Sequence, residues 1–465
     1  MKFHNSLCRV VLAVLVPSMV WSQTSLEYAL SIGSVGFGTQ DAEAIVLDSD
    51  NNLYTAGTFT GGIDFDPSVF VFEVNPVGIN DAFVHKVDEN GNFEWVKTFG
   101  GSNAESVLDI AIDEEGNLYT VGFFWNTADF DPGEDVFNLE SQGSGDVFIQ
   151  KLDNDGNFVW ARSVGGGGND QSTSIAISEN GELYISGFFS NTIDLHPGDE
   201  ELIFTAQGFT DIFTLKLDND GNFLWAHTLG NQEGEGIFSN AVDSDGNFYA
   251  LGSFNETMDL DPGAQVVNLE SSGSSDIFIQ KLNPNGELIW VKQVGGPGSD
   301  RAIDFDIDET GNLYITGWIA GEADLDPGAG EFISPSGEDN ESFALKLNSS
   351  GEFVWASVLE TDEFDSGQSI TTDNNGSVYI TGSFIGDIEL EIFGESSLFT
   401  NQGLEDIYIW KLTEDGDHEC FKTFGGQSPD APSAIAVDNL GNIYSTGEYF
   451  EEVDFDPTEG EFILS

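Results

Sequence analysis

Positive charge is almost missing from this chain. Its 465 residues hold 13 lysines and arginines against 82 aspartates and glutamates, a formal net charge of −69. That balance excludes a nucleic-acid backbone or an anionic lipid surface as partner and leaves cations and basic surfaces as the electrostatic attractions. Cysteine is as scarce. Of the two present, Cys8 lies before an apolar run at residues 10–20, where it cannot act as a lipid-anchor cysteine, and Cys420 has no partner for an intramolecular disulfide once the N-terminus is removed. His85, His196, His227 and His418 are scattered, without metal spacing, and no Ser/His/Asp or Cys/His arrangement has a local motif, so enzyme signatures are thin. Beyond the N-terminus nothing approaches the ~18 consecutive apolar residues of a membrane helix.

What the N-terminus does have is a basic start (Lys2, Arg9), the short apolar run and the small residue Ser22. These are the parts of a secretory signal peptide, residues 1–22, with cleavage expected before Gln23. The mature chain, residues 23–465, is expected to be secreted, extracellular or at the cell surface, and monomeric. Its acids are spread throughout and 39% of residues are hydrophobic, so it reads as a folded domain with an acidic skin.

Tyr54, Tyr119, Tyr184, Tyr249, Tyr314, Tyr379 and Tyr444 stand 65 residues apart, each followed three places later by a glycine (Gly57, Gly122, Gly187, Gly252, Gly317, Gly382, Gly447). One structural unit is written seven times. In the second copy, residues 109–113 (DIAID) and 118–124 (LYTVGFF) flank a turn, and residues 146–153 (DVFIQKLD) and 158–164 (FVWARSV) flank another. Both faces of these strands are apolar, as expected for sheets packed on both sides. Four antiparallel strands per 65-residue copy predict an all-β, seven-bladed β-propeller. Residues 26–33 (LEYALSIG) match residues 93–100 (FEWVKTFG) in character, so the mature chain opens on an orphan fourth strand. The seventh copy supplies two strands near residues 435–438 and 443–450, and its third is expected where the sequence stops. The last blade is therefore expected to be incomplete and closed by the N-terminal strand, which also removes a sheet edge.

The pattern from Asp113 to Phe124 (Asp-x-x-Gly-Asn-Leu-Tyr-x-x-Gly-x-Phe), then Asp129-Phe130-Asp131-Pro132-Gly133, then Gly143 to Trp160 (Gly-x-x-Asp-x-Phe-x-x-Lys-Leu-Asp-x-Asp-Gly-Asn-Phe-x-Trp), resembles the seven-bladed beta-propeller (SBBP) repeat of secreted bacterial proteins. The resemblance covers essentially the whole mature chain. The sixth copy departs from it, with Glu389-Leu390-Glu391 for Asp-Phe-Asp and Cys420 for the tryptophan. It implies fold and secretion more than an activity.

Three columns are candidates for chemistry. Lys86, Lys151, Lys216, Lys281, Lys346 and Lys411 fill one position of each third strand, and Trp95, Trp160, Trp225, Trp290 and Trp355 one position of the fourth. A catalytic lysine is needed once, so this cation is expected to be structural, either in an ion pair or against the tryptophan. Asp64 and Asp66, Asp129 and Asp131, Asp259 and Asp261, Asp324 and Asp326, and Asp454 and Asp456 place two carboxylates on one side of an extended segment. Such pairs could bracket a calcium ion with help from carbonyls and water, or cap the turn forced by the proline that follows. His196 breaks the pair in the third copy. The Asp-x-Asp-Gly-Asn segments at Asp153, Asp218 and Asp243 lack the later ligands of a calcium loop and read as hairpin turns. No catalytic residue is assigned. The chain is expected to be a non-catalytic binding or surface scaffold for an extracellular protein or glycan, with calcium as its one candidate cofactor. The alternative is an extracellular polysaccharide hydrolase or lyase using an acidic pair such as Glu389 and Glu391. An acidic, lysine-poor surface also suits a high-salt habitat.

Overall fold

The computed structural model describes residues 9–17, 24–34, 38–335, 339–361, 363–456 and 462–464. The expected cleavage site between Ser22 and Gln23, with Lys2, Cys8 and Pro457, lies outside them. The described residues form strands and turns and no helix.

Each of the first six copies builds an antiparallel run of four strands. In the third copy these are Asp170–Ile177, Leu183–Phe189, Asp211–Leu217 and Phe223–Leu229. The second copy has longer ones than its sequence suggests, Leu118–Asp129 and Asn138–Leu152, because its central hairpin continues through Thr127↔Glu140 into the segment carrying Asp129.

The two columns that define the repeat have local causes. First and second strands meet at a β-bulge, as between Val121 and Gly122, and a Cβ at Gly122 would run into the carbonyl of Ser106. Only glycine permits that approach. The turn preceding each tyrosine is organised by one aspartate, replaced in the third copy by Ser178. Asp113 Oδ1 accepts from the amides of Glu115 and Asn117, and Gly116 sits at φ 82°, which L-residues avoid. In the first copy Asn51 takes that place at φ 63°.

The core lies between consecutive copies. Tyr54, Ala56 and Val84 of the first pack with Val107, Leu118 and Phe148 of the second, and Tyr119, Val121 and Ile149 of the second with Leu183, Ile185 and Phe213 of the third. This two-sided burial explains why the strands lack polar–apolar alternation. The first strands, Thr39–Leu47, Glu105–Ile112, Asp170–Ile177, Gly236–Val242, Arg301–Ile307, Asp365–Thr372 and Ala431–Val437, each contact the next, and Ala431–Val437 contacts Thr39–Leu47.

At the N-terminus, Thr24–Ser34 joins the sheet of the seventh copy, as its likeness to a fourth strand predicts, but not directly. Arg9–Pro17 lies between it and Ile443–Tyr449, paired with both. The segment read as a leader thus occupies the place of the third strand.

Candidate functional site

Register settles what the lysine column touches. Lys86, Lys151, Lys216, Lys281 and Lys346 stand directly opposite Trp95, Trp160, Trp225, Trp290 and Trp355 across the third and fourth strands, and Lys411 opposite Cys420. Yet each ammonium lies over the ring of the repeat tyrosine, at 4.8 Å for Lys151 on Tyr119 and 4.6 Å for Lys281 on Tyr249. The tryptophan meets that tyrosine edge-on, at 6.0 Å for Tyr249 and Trp290, and takes a different cation on its own face, Lys97 on Trp95 and Arg162 on Trp160. The turn aspartate completes the unit. Asp243 Oδ2 accepts from the Tyr249 hydroxyl at 3.1 Å and lies 3.2 Å from Lys281 Nζ. In the third copy that aspartate is Ser178, and the acid reappears four residues on as Glu182, 2.6 Å from Lys216, while Tyr184 donates to the Gly246 carbonyl. An acid shifted along the turn restores the same pairing.

The Asp-x-Asp-Pro pairs sit in short outer hairpins. Asp129 Oδ1 accepts from the amides of Asp131 (3.1 Å) and Phe137 (2.8 Å), and Asp131 Oδ1 from that of Gly133 (2.8 Å). Asp64, Asp259, Asp324 and Asp454 accept from the same two positions of their own loops. One oxygen of each carboxylate is thus engaged in holding the turn. Among the described residues no group of three or more His, Cys, Asp or Glu is arranged to hold a metal, so calcium at a pair would draw most of its ligands from carbonyls and water. The pairs lie at the joints between copies, with Asp64 pairing with Gly33, Asp129 with Gly100 and Asp324 with Gly295.

The residues that break the repeat are not gathered in one place. His196 keeps the turn, its Nδ1 accepting from Gly198, and lies against Phe223 in an open groove of about 560 Å³ with Arg162 and Asp199. Arg301 packs on Phe238 at 4.1 Å. Glu389 and Glu391 project from the exposed face of the peripheral strand Asp387–Ile392, with Ser396 donating to Glu389.

Sequence reasoning missed the acids of the inner strands. Asp109, Asp304 and Asp306 replace small or apolar residues of their columns and tie neighbouring copies together. Asp109 accepts from the Ile175 amide, Asp304 from the hydroxyls of Ser239 and Ser369, and Asp306 from the amide and hydroxyl of Thr372. Burial among these strands raises Asp109 to about 7 and Asp306 to about 6. Asp41 and Glu43 of the first copy gather with Glu448 of the seventh, and burial followed by the neighbouring charges lifts Glu43 to about 8. Their signal was a carboxylate inside an apolar strand.

Residues 289–325 match the family profile of the SBBP beta-propeller repeat. The same residues recur at a constant spacing along the chain, so its seven copies are similar to that β-propeller repeat. It is 25% identical over 193 residues to an uncharacterised WD repeat-containing protein of Acanthamoeba polyphaga mimivirus, covering 37% of this chain and 14% of that one. It is 29% identical over 183 residues to the regulatory protein FlaEY of Caulobacter vibrioides, covering 38% and 18%. The chain thus spans under a fifth of either relative. Among solved structures, the Neurospora crassa Pan2 WD40 domain aligns over 91% of both chains with TM-score 0.37 and 10% identity. The extracellular domain of the putative one-component system BT4673 of B. thetaiotaomicron aligns over 92% of this chain and 74% of that one, with TM-score 0.20 and 10% identity. Likeness at that level carries no functional information.

Proposed function

We propose that the chain is an exported, seven-bladed β-propeller, its ring closed through the N-terminal strand, that acts as a non-catalytic binding scaffold outside the cell. The observation that carries this reading is the run of contacts among first strands, from each copy to the next and from the seventh back to the first. Leu53 and Val87 of the first copy pack with Tyr444 of the seventh, with Tyr28 and Leu30 against them, which supports closure. The lysine and aspartate columns are absorbed in turns and inter-strand packing, which supports a scaffold. The binding face is assigned to the turns of the third to fifth copies, where Glu179, Asp243, Asp245, Asp308 and Glu309 surround Lys281 in a depression of about 630 Å³. Its partner is an extracellular protein or glycan presenting cationic groups, drawn by the acidic field. An array of such proteins and glycans, probed at low and high salt with and without calcium, tests this. A partner captured at low salt and lost with Asp245→Lys plus Glu309→Lys supports it, and an array with no salt-sensitive partner overturns it.

One observation favours a second reading, a polysaccharide hydrolase or lyase. The raised Glu43 beside Asp41 and Glu448 has the protonation a general acid requires. New reducing ends or unsaturated products released from neutral or acidic polysaccharides, and abolished by Glu43→Gln, would establish it.

A further inference from the structure

Six pairs of acids, each 24 residues apart, recur where one copy meets the next: Asp81 and Glu105, Asp146 and Asp170, Asp211 and Glu235, Asp276 and Asp300, Glu341 and Asp365, Asp406 and Asp430. The first member lies at the start of a third strand, except Asp146, which falls within the extended strand Asn138–Leu152, and the second lies at or just before the first strand of the following copy. All twelve side chains are buried. They face each other closely. A Cβ at Gly100 would lie 2.8 Å from Glu105 Oε2 and 2.9 Å from Asp81 Cγ, and one at Gly295 2.8 Å from Asp276 Cγ and 2.9 Å from Asp300 Oδ2. At these two joints a glycine therefore occupies a position from which a side chain would press on the pair.

Backbone amides satisfy part of each pair. Asp146 Oδ2 accepts from Gln142 at 3.0 Å, Asp300 Oδ2 from Gly296 at 2.7 Å, and Asp430 Oδ2 from Gly426 at 2.9 Å. What is left over is an orphaned, buried oxygen in five of the six pairs: Glu105 Oε1, Asp146 Oδ1 and Asp170 Oδ2, Glu235 Oε1, Asp276 Oδ1 and Asp406 Oδ1. The sixth, Glu341 with Asp365, has none: Asp365 accepts from the Ser342 amide and the Thr361 hydroxyl, and the two carboxyls hydrogen-bond to each other. Two ionised carboxylates are both acceptors, so such a contact forms only when one carries a proton. Among the described residues no lysine or arginine forms an ion pair with these acids. Asp146 and Asp170 face each other and backbone amides. Glu235 also faces Glu233, Asp430 also faces Glu405, and Glu341 also faces Glu360 and Asp339.

We propose that each pair binds one proton between its two carboxyls, forming an acid–carboxylate hydrogen bond that fastens one copy to the next, and that losing this proton loosens the joint. The O–H on one member donates to the orphaned oxygen of the other, and deprotonation breaks that bond, releases the proton to water and leaves two facing anions. Burial followed by the neighbouring charge raises Asp170 to about 7, and burial raises Asp365 to about 8, against 3.8 for an ordinary aspartate. A raised acid stabilises the fold fully below its unfolded value, and that contribution is lost as pH rises through the folded one. The folded joints thus keep their proton at pH 5, while the stability it lends falls from about pH 4 and is lost by about pH 8.

The test is a urea-melt series from pH 5 to 9 on the full chain and on Asp170→Asn, with Glu105→Gln as a second variant in another pair. An amide is a permanent donor, so each variant should match wild type at pH 5 and exceed it at pH 9, with a shallower pH slope. Asp155→Asn, in an exposed turn, controls for charge removal alone and should leave the slope unchanged. Amide variants that are weaker at pH 5, or slopes unaltered in both, overturn the proposal. So does millimolar calcium, if it strengthens wild type at pH 8 and not the variants, because the pairs would then be cation sites.

Discussion

At the residue scale, the repeat is a way of placing a scarce cation where it does most. Lys151 touches the face of Tyr119 and approaches Asp113 at 4.0 Å, its side chain 11% exposed. Removing it leaves a buried-side carboxylate without its counter-charge and an uncovered ring, so Lys151→Ala should cost about 1–3 kcal/mol in a urea melt without abolishing partner binding. Identical midpoints for variant and wild type would make the contact incidental. The third copy offers an internal check. Lys216 relies on Glu182, which is partly exposed, so Glu182→Gln should cost less than the equivalent change at Asp243, where tyrosine and lysine share one aspartate. The recurrence of these lysines was legible in the sequence, and a structural role was the expectation drawn from it. Their true partner was not, because a lysine facing a tryptophan across two strands is turned onto a tyrosine of a third by packing that only the register of three strands reveals.

At the element scale, hairpins were legible because their turns announce themselves by glycine and asparagine, as at Gly116 and Gly156 with φ 82° and 73°. Strand lengths were not, since pairing such as Ala128↔Gly101 extends the second strand of the second copy onto its neighbour, a gain invisible to local pattern. The outer hairpin carrying Asp129 and Asp131 is the element on which calcium binding is proposed. If calcium binds there, millimolar calcium should raise the melting temperature more than magnesium at equal ionic strength, because magnesium demands a tighter shell and gives up water reluctantly. Asp129→Asn with Asp131→Asn should abolish the difference. Equal effects of the two ions would leave these aspartates as turn residues alone, the role their hydrogen bonds to Asp131, Phe137 and Gly133 already fill. The paired carboxyls at the joints escaped sequence reading for a different reason. Each member recurs visibly, but 24 residues and a copy boundary separate them, and nothing local says that they meet.

At the scale of the whole molecule, the N-terminus decides how the last sheet is finished. If the chain is exported as proposed, the mature protein should begin at Gln23, which N-terminal sequencing reads directly. Cleavage there would remove Arg9–Pro17 and vacate the position between Ile443–Tyr449 and Thr24–Ser34. The cleaved protein should then unfold at a lower temperature than an uncleavable form, and equal melting would mean that this strand contributes nothing to the ring. The proposed closure would rest on what Thr24–Ser34 does after such cleavage. Ala29 and Ile32 are buried, Ile32 beside Ala42, Phe59 and Phe65 of the first copy and Ala29 beside Tyr379, Ile443 and Tyr449 of the sixth and seventh. One strand therefore packs into both ends of the repeat array, and deleting residues 24–34 should unzip the two together. For a compact chain of this length the radius of gyration is about 23 Å. Small-angle scattering should give that value for the chain from Gln23, and a larger one with loss of a single cooperative transition after the deletion. An intact protein already more extended, or a deletion that leaves size and cooperativity unchanged, would mean that the copies form an open superhelix whose ends do not need each other.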